Sequence, residues 1–263
     1  MDTRQLLADE AKEYVNAIKA IDFKNFDDLQ DLMKALPHVK LRDGYVLDAY
    51  YAGDMSFGAE MKLYAAKINS ETQYYPVSRV VLNGFESYKE FLEWFGSPFK
   101  ENEVVKKRLI RPFTDGQYIE GTVPWEASKT VPKLENYLEL EYTPIAIWEA
   151  LLLIEVTPLY LPHFWHAGGR RGMLVVDDNS LVKACTGRYT HGVNYKSLLG
   201  NQRMLLPMVE VKSSCLAYAS YCYWNDWKGL SCVTFEVTNK ERKICFNQID
   251  EKILIEYNCR VMF

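Results

Sequence analysis

The sequence predicts an α+β protein in which an antiparallel sheet packs against helices. Three observations lead to this prediction: two amphipathic helical segments at the N-terminus, an almost wholly apolar helical segment near the middle, and alternating apolar residues in the C-terminal part. The chain has 263 residues, of which 48% are apolar and 25% are charged, as in an ordinary globular protein. This composition excludes a mostly disordered chain and a collagen-like one.

The first part of the chain combines helices with hairpins. Residues 3–21 place apolar side chains on one stripe with charges opposite, which predicts an amphipathic helix. Residues 25–36 predict a second helix that a proline ends, and residues 45–68 predict a hairpin rich in aromatic and aliphatic side chains. Helical spacing recurs over residues 85–95, and an Asp-Gly pair within 108–123 predicts another hairpin.

The second part of the chain is predicted to surround one buried helix. Thr143 and Pro144 are typical of a helix start. The run from there to Val156 is apolar on nearly every side apart from two glutamates, so we expect it in the centre of the protein. Residues 173–184 predict a hairpin around four polar residues. Residues 208–261 predict an antiparallel meander whose first strand runs over residues 209–223.

The chain is predicted to be a single α+β domain over residues 1–263. The stretch at 124–132 is polar and begins and ends with proline, which makes it a candidate domain boundary. The buried central helix argues against a division of the chain into two domains there. The N-terminus lacks the basic start and apolar run of a secretory signal. The most apolar stretch, residues 144–161, contains two glutamates, is interrupted by Pro158 and is too short for a membrane span. We therefore expect a cytoplasmic protein that does not enter a membrane.

Cysteines and aromatic residues are expected to pack in the sheet. All six cysteines lie in the last third of the chain and none has C-x-x-C spacing, which argues against a zinc ribbon or a thioredoxin-type motif. Because nothing else indicates secretion, we expect buried thiols rather than disulfides. The aromatic run at 218–227 is expected to pack in the core and at the end of a hairpin. The cysteines are Cys185, Cys215, Cys222, Cys232, Cys245 and Cys259.

Residues 161–203 are the strongest candidate for a functional site. These 43 residues contain three of the four histidines and six of the 14 glycines, and six basic side chains against two acidic ones give them a charge of +4. The other 220 residues carry −8, so a basic stretch lies within an acidic protein. Glycine lets a ligand approach the backbone, and arginine binds carboxylate or phosphate through two parallel hydrogen bonds. The candidate binding residues are His163, His166, Arg170, Arg171, Arg188 and His191.

Three interpretations of this basic segment stay open. The simplest is a surface loop whose glycines make turns and whose charges pair with the protein's own carboxylates. A second is a site for a small anionic ligand or an acidic protein partner, without a cofactor. A third is a divalent metal ion such as zinc held by His163, His166 and His191, although the H-x-x-H spacing lacks the glutamate of H-E-x-x-H metalloproteases.

Known catalytic and nucleotide-binding motifs are missing from the sequence. It contains no P-loop, no G-x-G-x-x-G pattern and no G-x-S-x-G elbow, and its net charge of −4 argues against binding double-stranded nucleic acid. Glu149 and Glu155 point in nearly opposite directions on the central helix, which makes them poor partners in acid–base work, and His38 is interpreted as a loop histidine. We therefore expect a binding or interaction protein, with a hydrolase-like enzyme that uses the three histidines as the alternative.

Overall fold

The computed structural model confirms the predicted α+β architecture, with helices, small hairpins and a C-terminal antiparallel meander. No helix among the described residues is long and apolar enough to cross a membrane. The predicted helix at 85–95 and the candidate boundary at 124–132 lie outside the described residues. The structure describes residues 2–21, 26–54, 58–67, 110–113, 117–120, 133–161, 163–164, 172–186, 190, 193–240 and 243–258.

The N-terminal helical pair and the central helix form as predicted. Asp2 and Thr143 cap α1 and α3 through side-chain oxygens that accept backbone N–H groups. After α3 the helix widens into a π turn over Leu152–Val156 and then tightens into a 3-10 turn over Thr157–Leu159. The helices are α1 (Thr3–Ala20), α2 (Phe26–Lys34), α3 (Pro144–Leu151), α4 (Asp178–Cys185) and α5 (Gln202–Leu205).

The strand pairs of the described residues are all antiparallel. In the largest sheet β12, β11 and β10 form the meander, and the other edge of β10 pairs first with β9 and then with β8. The pairs β2–β3 and β4–β5 confirm the two predicted hairpins, β7 adds to β3, and β1 pairs with β6. The strands are β1 (Val39–Leu41), β2 (Tyr45–Asp54), β3 (Gly58–Lys67), β4 (Ile110–Phe113), β5 (Gln117–Glu120), β6 (Leu138–Leu140), β7 (His163–Phe164), β8 (Gly172–Val175), β9 (Met208–Ser213), β10 (Leu216–Asn225), β11 (Gly229–Lys240) and β12 (Lys243–Glu256).

One hydrophobic core joins α1, α3 and the meander. Trp148 of α3 is fully buried, and its indole N–H donates a hydrogen bond of 2.9 Å to the carbonyl of Leu7 on α1. The buried hydroxyls of Tyr14 and Thr157 lie 2.7 Å apart, so the polar atoms at this junction have partners. Tyr221 of β10 packs on the other side of Trp148, with ring centroids 6.2 Å apart. These contacts hold α1 and α3 face to face.

Two predictions of secondary structure are wrong in detail. The hairpin predicted at 173–184 is instead β8 followed by helix α4, because Asp177 and Ser180 form a capping box that starts a helix. Asp177 accepts the backbone N–H of Ser180 at 2.7 Å, and the Ser180 hydroxyl accepts the backbone N–H of Asp177 at 3.0 Å. The long first strand predicted for the meander is two strands, β9 and β10, since the chain turns at Ser214 and Cys215.

The expectation that the cysteines are all thiols is wrong for one pair. Cys222 of β10 and Cys232 of β11 lie directly opposite each other in the antiparallel register and form a disulfide. Of the free cysteines in the described residues, Cys185 is buried as expected and the other two are exposed. Cys259 lies outside the described residues.

The aromatic run at 218–227 packs inward at two positions, as predicted. Tyr221 is buried and stacks on Phe235 with ring centroids 6.1 Å apart. Trp224 is also buried and contacts Tyr257, with centroids 5.5 Å apart. At these positions the aromatic residues stabilise the sheet rather than present a surface for ligands.

Candidate functional site

Three ionisable side chains from distant parts of the sequence meet between α1, α3 and the start of β1. They are Glu10, His38 and Glu149, and one oxygen or nitrogen atom from each lies within 4.8 Å of the other two. No other trio of His, Cys, Asp or Glu side chains in the described part of the chain has a spacing that could hold a metal ion. We call these three residues the Glu–Glu–His cluster.

Local sequence features explain how each residue reaches the cluster. Glu10 lies on α1, next to the buried stripe that packs against α3. Pro37 follows the end of α2, so the chain turns at His38 and enters β1, which pairs with β6. Shortly after β6, Thr143 caps α3 and thereby places Glu149 in the second turn of that helix. The pairing of β1 with β6 therefore holds His38 beside α3.

Glu149 is a buried carboxylate that orients the ring of His38. The side chain of Glu149 is 0% exposed, and its two oxygens accept hydrogen bonds from the backbone N–H of His38 at 2.7 Å and from Nδ1 at 2.6 Å. Because an ionised carboxylate can only accept, Nδ1 carries the proton, and in the neutral ring Nε2 keeps a free lone pair. The His38 side chain is 51% exposed, so the ring is accessible from solvent.

Glu10 adds a second carboxyl group that is neutral near pH 7. Burial, the hydrogen bond to Glu149 and the negative charges of Glu149 and Glu13 raise the pKa of Glu10 to about 8. Its Oε2 is buried and receives no hydrogen bond from the described residues, which is unfavourable for a charged carboxylate. Protonation lowers this cost, because a neutral carboxyl group loses less on burial than a charged one. Glu10 therefore keeps its proton at neutral pH.

A cleft of about 390 Å³ opens beside His38. Its volume falls within the range of small-molecule sites. Lys40, Glu139 and Glu141 are exposed and place charges of both signs at the cleft. The cleft therefore gives a small polar molecule access to the His38 ring. Its lining residues are Pro37, His38, Lys40, Glu139, Leu140, Glu141 and Thr143.

The geometry of the cluster in this state is that of a hydrogen-bond network rather than a metal centre. Two donor atoms at about 2.1 Å from one ion lie about 3 Å or more from each other. Nδ1 of His38 and Oε1 of Glu149 are 2.6 Å apart, so a proton lies between them. An imidazole held in this way can accept and return protons through Nε2.

The candidate residues predicted from sequence fall almost entirely outside the described residues. Only His163 lies within them, on β7, where it pairs with Glu60 of β3. The anion-site and metal-site predictions for the basic segment therefore stay predictions. The residues outside the described part are His166, Arg170, Arg171, Arg188 and His191.

Both acidic residues of the basic segment, Asp177 and Asp178, have hydrogen-bond partners among the described residues. Asp177 caps α4, and its Oδ2 lies 2.8 Å from Nζ of Lys12 on α1. Asp178 accepts a hydrogen bond of 3.2 Å from the backbone N–H of Gly200. Arg203 is the one arginine of the segment that the structure describes, and it forms no ion pair with either carboxylate.

Sequence reasoning missed the Glu–Glu–His cluster. It interpreted His38 as a loop histidine and looked for a partner of Glu149 on the same helix, whereas His38 precedes Glu149 by 111 residues. One signal could have found the site. A glutamate inside an almost wholly apolar helix is buried, and a buried carboxylate needs a hydrogen-bond donor or a cation from elsewhere in the fold.

Comparisons with known proteins do not identify this site. No protein family, curated protein or solved structure matches the chain. The case for a function therefore rests on the geometry and chemistry of the side chains.

Proposed function

We propose that this protein is a hydrolase-like enzyme in which His38, held by Glu149, acts as a general base in the adjacent cleft. The observation that carries the proposal is the 2.6 Å contact between Nδ1 of His38 and Oε1 of the fully buried Glu149. A carboxylate bound at Nδ1 selects the tautomer and the ring plane, and it leaves Nε2 free to remove a proton. The class of enzyme is the alternative that the sequence suggested, but the residues are different.

The cluster supports a simple sequence of proton transfers. A water molecule in the cleft donates a hydrogen bond to Nε2 of His38 and attacks an electrophilic carbon or phosphorus atom of the substrate. Its proton passes to Nε2, and the charged ring is stabilised by the carboxylate of Glu149. Glu10 keeps its proton at neutral pH and holds the far side of Glu149 in place. The ring then gives its proton to the leaving group.

Hydrolysis of chromogenic substrates tests this proposal. The purified chain is assayed with p-nitrophenyl esters, phosphates and glycosides beside two variants, His38→Gln and Glu149→Gln. We expect each variant to lower kcat/KM by about 100-fold or more, as is usual when a general base is lost. Glu210→Gln is the control, since Glu210 is an exposed residue of β9, outside the cleft lining.

Either of two results would contradict the proposal. Either the wild-type chain turns over none of these substrates, or both folded variants retain its rate. A rate that falls only when His163, His166 and His191 are all replaced by Gln assigns the activity to the histidines of the basic segment.

A second candidate function is the binding of a small anionic ligand or an acidic protein partner in the cytoplasm through residues 161–203. One observation favours it: the charge of +4 that the sequence gives this segment within an otherwise acidic chain. Opposite charge then attracts the partner, and salt weakens the attraction.

Replacement of two arginines tests this second function. We expect Arg170→Ala with Arg171→Ala to abolish a thermal shift caused by nucleotides or acidic metabolites, because a ligand that binds the folded state raises its stability. Lys183→Ala with Lys196→Ala removes the same charge at two exposed positions and serves as the control. Equal thermal shifts in both double variants would rule out the arginine site.

A further inference from the structure

The disulfide between Cys222 and Cys232 joins two neighbouring strands beside a short helix. The two residues lie directly opposite each other on β10 and β11. The carbonyl oxygen of Met204 on α5 lies 3.4 Å from Sγ of Cys222 and 3.8 Å from Sγ of Cys232. We propose that these two cysteines are a redox-active pair, which an external dithiol opens and a disulfide oxidant closes, and that its redox state controls how firmly α5 is held on the sheet.

The contact with α5 depends on the redox state because only a thiol has a proton to donate. The S–H group of a reduced cysteine is a hydrogen-bond donor, whereas a disulfide sulfur carries no hydrogen. The carbonyl groups at the end of a helix lack partners within that helix, so a donor from outside stabilises the end. Met204 is the third of the four residues of α5, and its carbonyl faces both sulfurs. Reduction therefore supplies a donor to α5, and oxidation removes it.

The attachment of α5 is built from a small set of tertiary contacts. A helix of four residues is too short to be stable by itself, so these contacts hold it. Leu205 is 0% exposed and packs in the same hydrophobic cluster as Cys222. The carbonyl of Arg203 accepts a hydrogen bond of 3.3 Å from the guanidinium of Arg4 on α1. These contacts persist in both redox states, and the sulfur–carbonyl contact is the one that changes.

An external thiolate can reach one sulfur of the pair. Cys232 is partly exposed, whereas Cys222 is 1% exposed. The thiolate of the dithiol therefore bonds to Sγ of Cys232, and the S–S bond breaks with Cys222 as the leaving group. The second thiol of the reductant then attacks the mixed disulfide and releases Cys232, so the reductant departs as a disulfide. Two electrons and two protons have passed to the protein, and both cysteines are thiols.

The neighbouring thiol of Cys185 does not replace the external dithiol. Cys185 belongs to the same hydrophobic cluster as Cys222 and is a free cysteine. Burial raises the pKa of its thiol to about 11. A thiolate, not a thiol, attacks a disulfide, and Cys185 is therefore a poor nucleophile at neutral pH. The state of the pair is thus set by thiols and disulfides outside the chain.

A reversible disulfide reconciles the structure with the sequence-based expectation. The sequence predicts thiols in a reducing compartment, whereas the structure joins two of the six cysteines. Disulfides in reducing compartments are usually transient and serve catalysis or redox sensing. Exposed disulfides are also the ones that cellular thiols reduce most readily. The partly exposed Cys232 places this disulfide in that class.

Hydrogen exchange of the wild-type chain in both redox states tests the proposal. The full chain is treated with dithiothreitol or with oxidised glutathione, and differential alkylation followed by mass spectrometry reports the state of Cys222 and Cys232. The NMR probe is the backbone N–H of Met204, which donates a hydrogen bond of 3.0 Å to the carbonyl of Asn201. We expect this N–H to exchange about two- to tenfold faster in the oxidised chain, because one hydrogen bond to α5 is lost.

Two double variants separate the hydrogen bond from the cross-link. Cys222→Ser with Cys232→Ser removes the disulfide but keeps hydroxyl donors for the carbonyl of Met204, whereas Cys222→Ala with Cys232→Ala removes both. We expect the serine variant to resemble the reduced wild type and the alanine variant to exchange about two- to tenfold faster. Neither should respond to dithiothreitol. Cys215→Ser, at an exposed free cysteine, is the control and should respond like the wild type.

Any of four results would overturn the inference. The disulfide of the folded chain resists dithiothreitol, or the reduced pair does not close again with oxidised glutathione. Alternatively, the N–H of Met204 exchanges at the same rate in both redox states, or the serine and alanine variants exchange at the same rate. No substrate is used in these measurements, so the inference does not depend on the proposed function.

Discussion

Glu149 determines both the packing and the chemistry of the candidate site. A carboxylate in an apolar helix is unfavourable unless donors surround it. The backbone and ring N–H groups of His38 supply two hydrogen bonds, and protonated Glu10 supplies a third. The same bonds fix the orientation of a half-exposed histidine. One buried residue thus explains why this half-exposed imidazole keeps one orientation.

This network predicts that Glu149 and His38 are energetically coupled. Glu149→Gln is expected to lower the free energy of unfolding by about 2 kcal/mol, because hydrogen bonds to a charged group contribute about 1.5–3 kcal/mol. In the His38→Ala background the loss should be smaller, since the ring donor is already absent. Urea unfolding of the four proteins gives the coupling energy directly. Strictly additive losses would show that the hydrogen bond contributes nothing.

The cluster could not be predicted from the sequence because its residues meet only through tertiary packing. The burial of the central helix was predictable, and with it the burial of a glutamate. The partners of Glu149 were not, since Glu10 is on a different helix and His38 is in a turn. No local pattern records that α1 and α3 face each other. That arrangement follows from contacts such as the indole N–H of Trp148 with the carbonyl of Leu7.

Individual elements were predictable where local signals agree. The turn between β10 and β11 and the hairpin β4–β5 form where turn residues separate alternating segments. Residues 173–184 were ambiguous, because four polar residues between apolar segments indicate either a turn or a helix cap. The spacing of Asp177 and Ser180 decides in favour of a capping box. Leu181, Ala184 and Cys185 then lie on the buried face of α4.

The cap of α4 predicts a stability that depends on pH. Burial alone would raise the pKa of Asp177, but hydrogen bonds from Lys12 and Ser180 outweigh it and lower the pKa below its ordinary value of 3.8. The stabilisation is therefore complete above about pH 5 and is lost as the pH falls through the lowered pKa. Asp177→Ala is expected to cost about 1–2 kcal/mol at pH 7 and less at pH 2. Urea unfolding at both pH values checks this.

A neutral substitution in the same turn provides the control. Asn179→Ala changes an exposed residue of α4 and should have little effect at either pH. If the cost of Asp177→Ala were the same at pH 2 and pH 7, the cap would not depend on the charge of the carboxylate.

The turn between β10 and β11 requires glycine for two reasons. Gly229 has φ = +95°, and a Cβ there would lie 2.0 Å from the carbonyl oxygen of Ile255 on β12. We expect Gly229→Ala to cost about 1–2 kcal/mol in backbone strain and about 1–3 kcal/mol more in steric overlap. Gly44 has φ = +84°, but a Cβ added there would have no atom within 4 Å. Gly44→Ala should therefore lose only the stability that backbone strain costs. Equal losses of stability in thermal unfolding would contradict the steric contribution.

At the scale of the whole molecule, α3 connects the N-terminal helix to the C-terminal sheet. Trp148 contacts Leu7 on one side and Tyr221 on the other, so the two ends of the sequence share one core. The Glu–Glu–His cluster lies at this same junction of α1 and α3. Stability of the core and geometry of the site are therefore linked, and a change that loosens α1 should also disorder His38 and its partners.

This shared core predicts that the protein unfolds as one cooperative unit. Leu7 is 1% exposed, so Leu7→Ala should cost about 2–5 kcal/mol and shift the whole transition, whereas Leu6, at 45% exposure, should tolerate Ala within about 0.5 kcal/mol. Tryptophan fluorescence and far-UV circular dichroism should give coincident urea curves in all three proteins. If Leu7→Ala instead separates the curves, α1 unfolds on its own, and the prediction of a single domain over residues 1–263 is wrong. Coincident curves shifted to lower urea would establish that the N-terminal helix is part of the same folding unit as the meander, and that the candidate site forms only when that unit is folded.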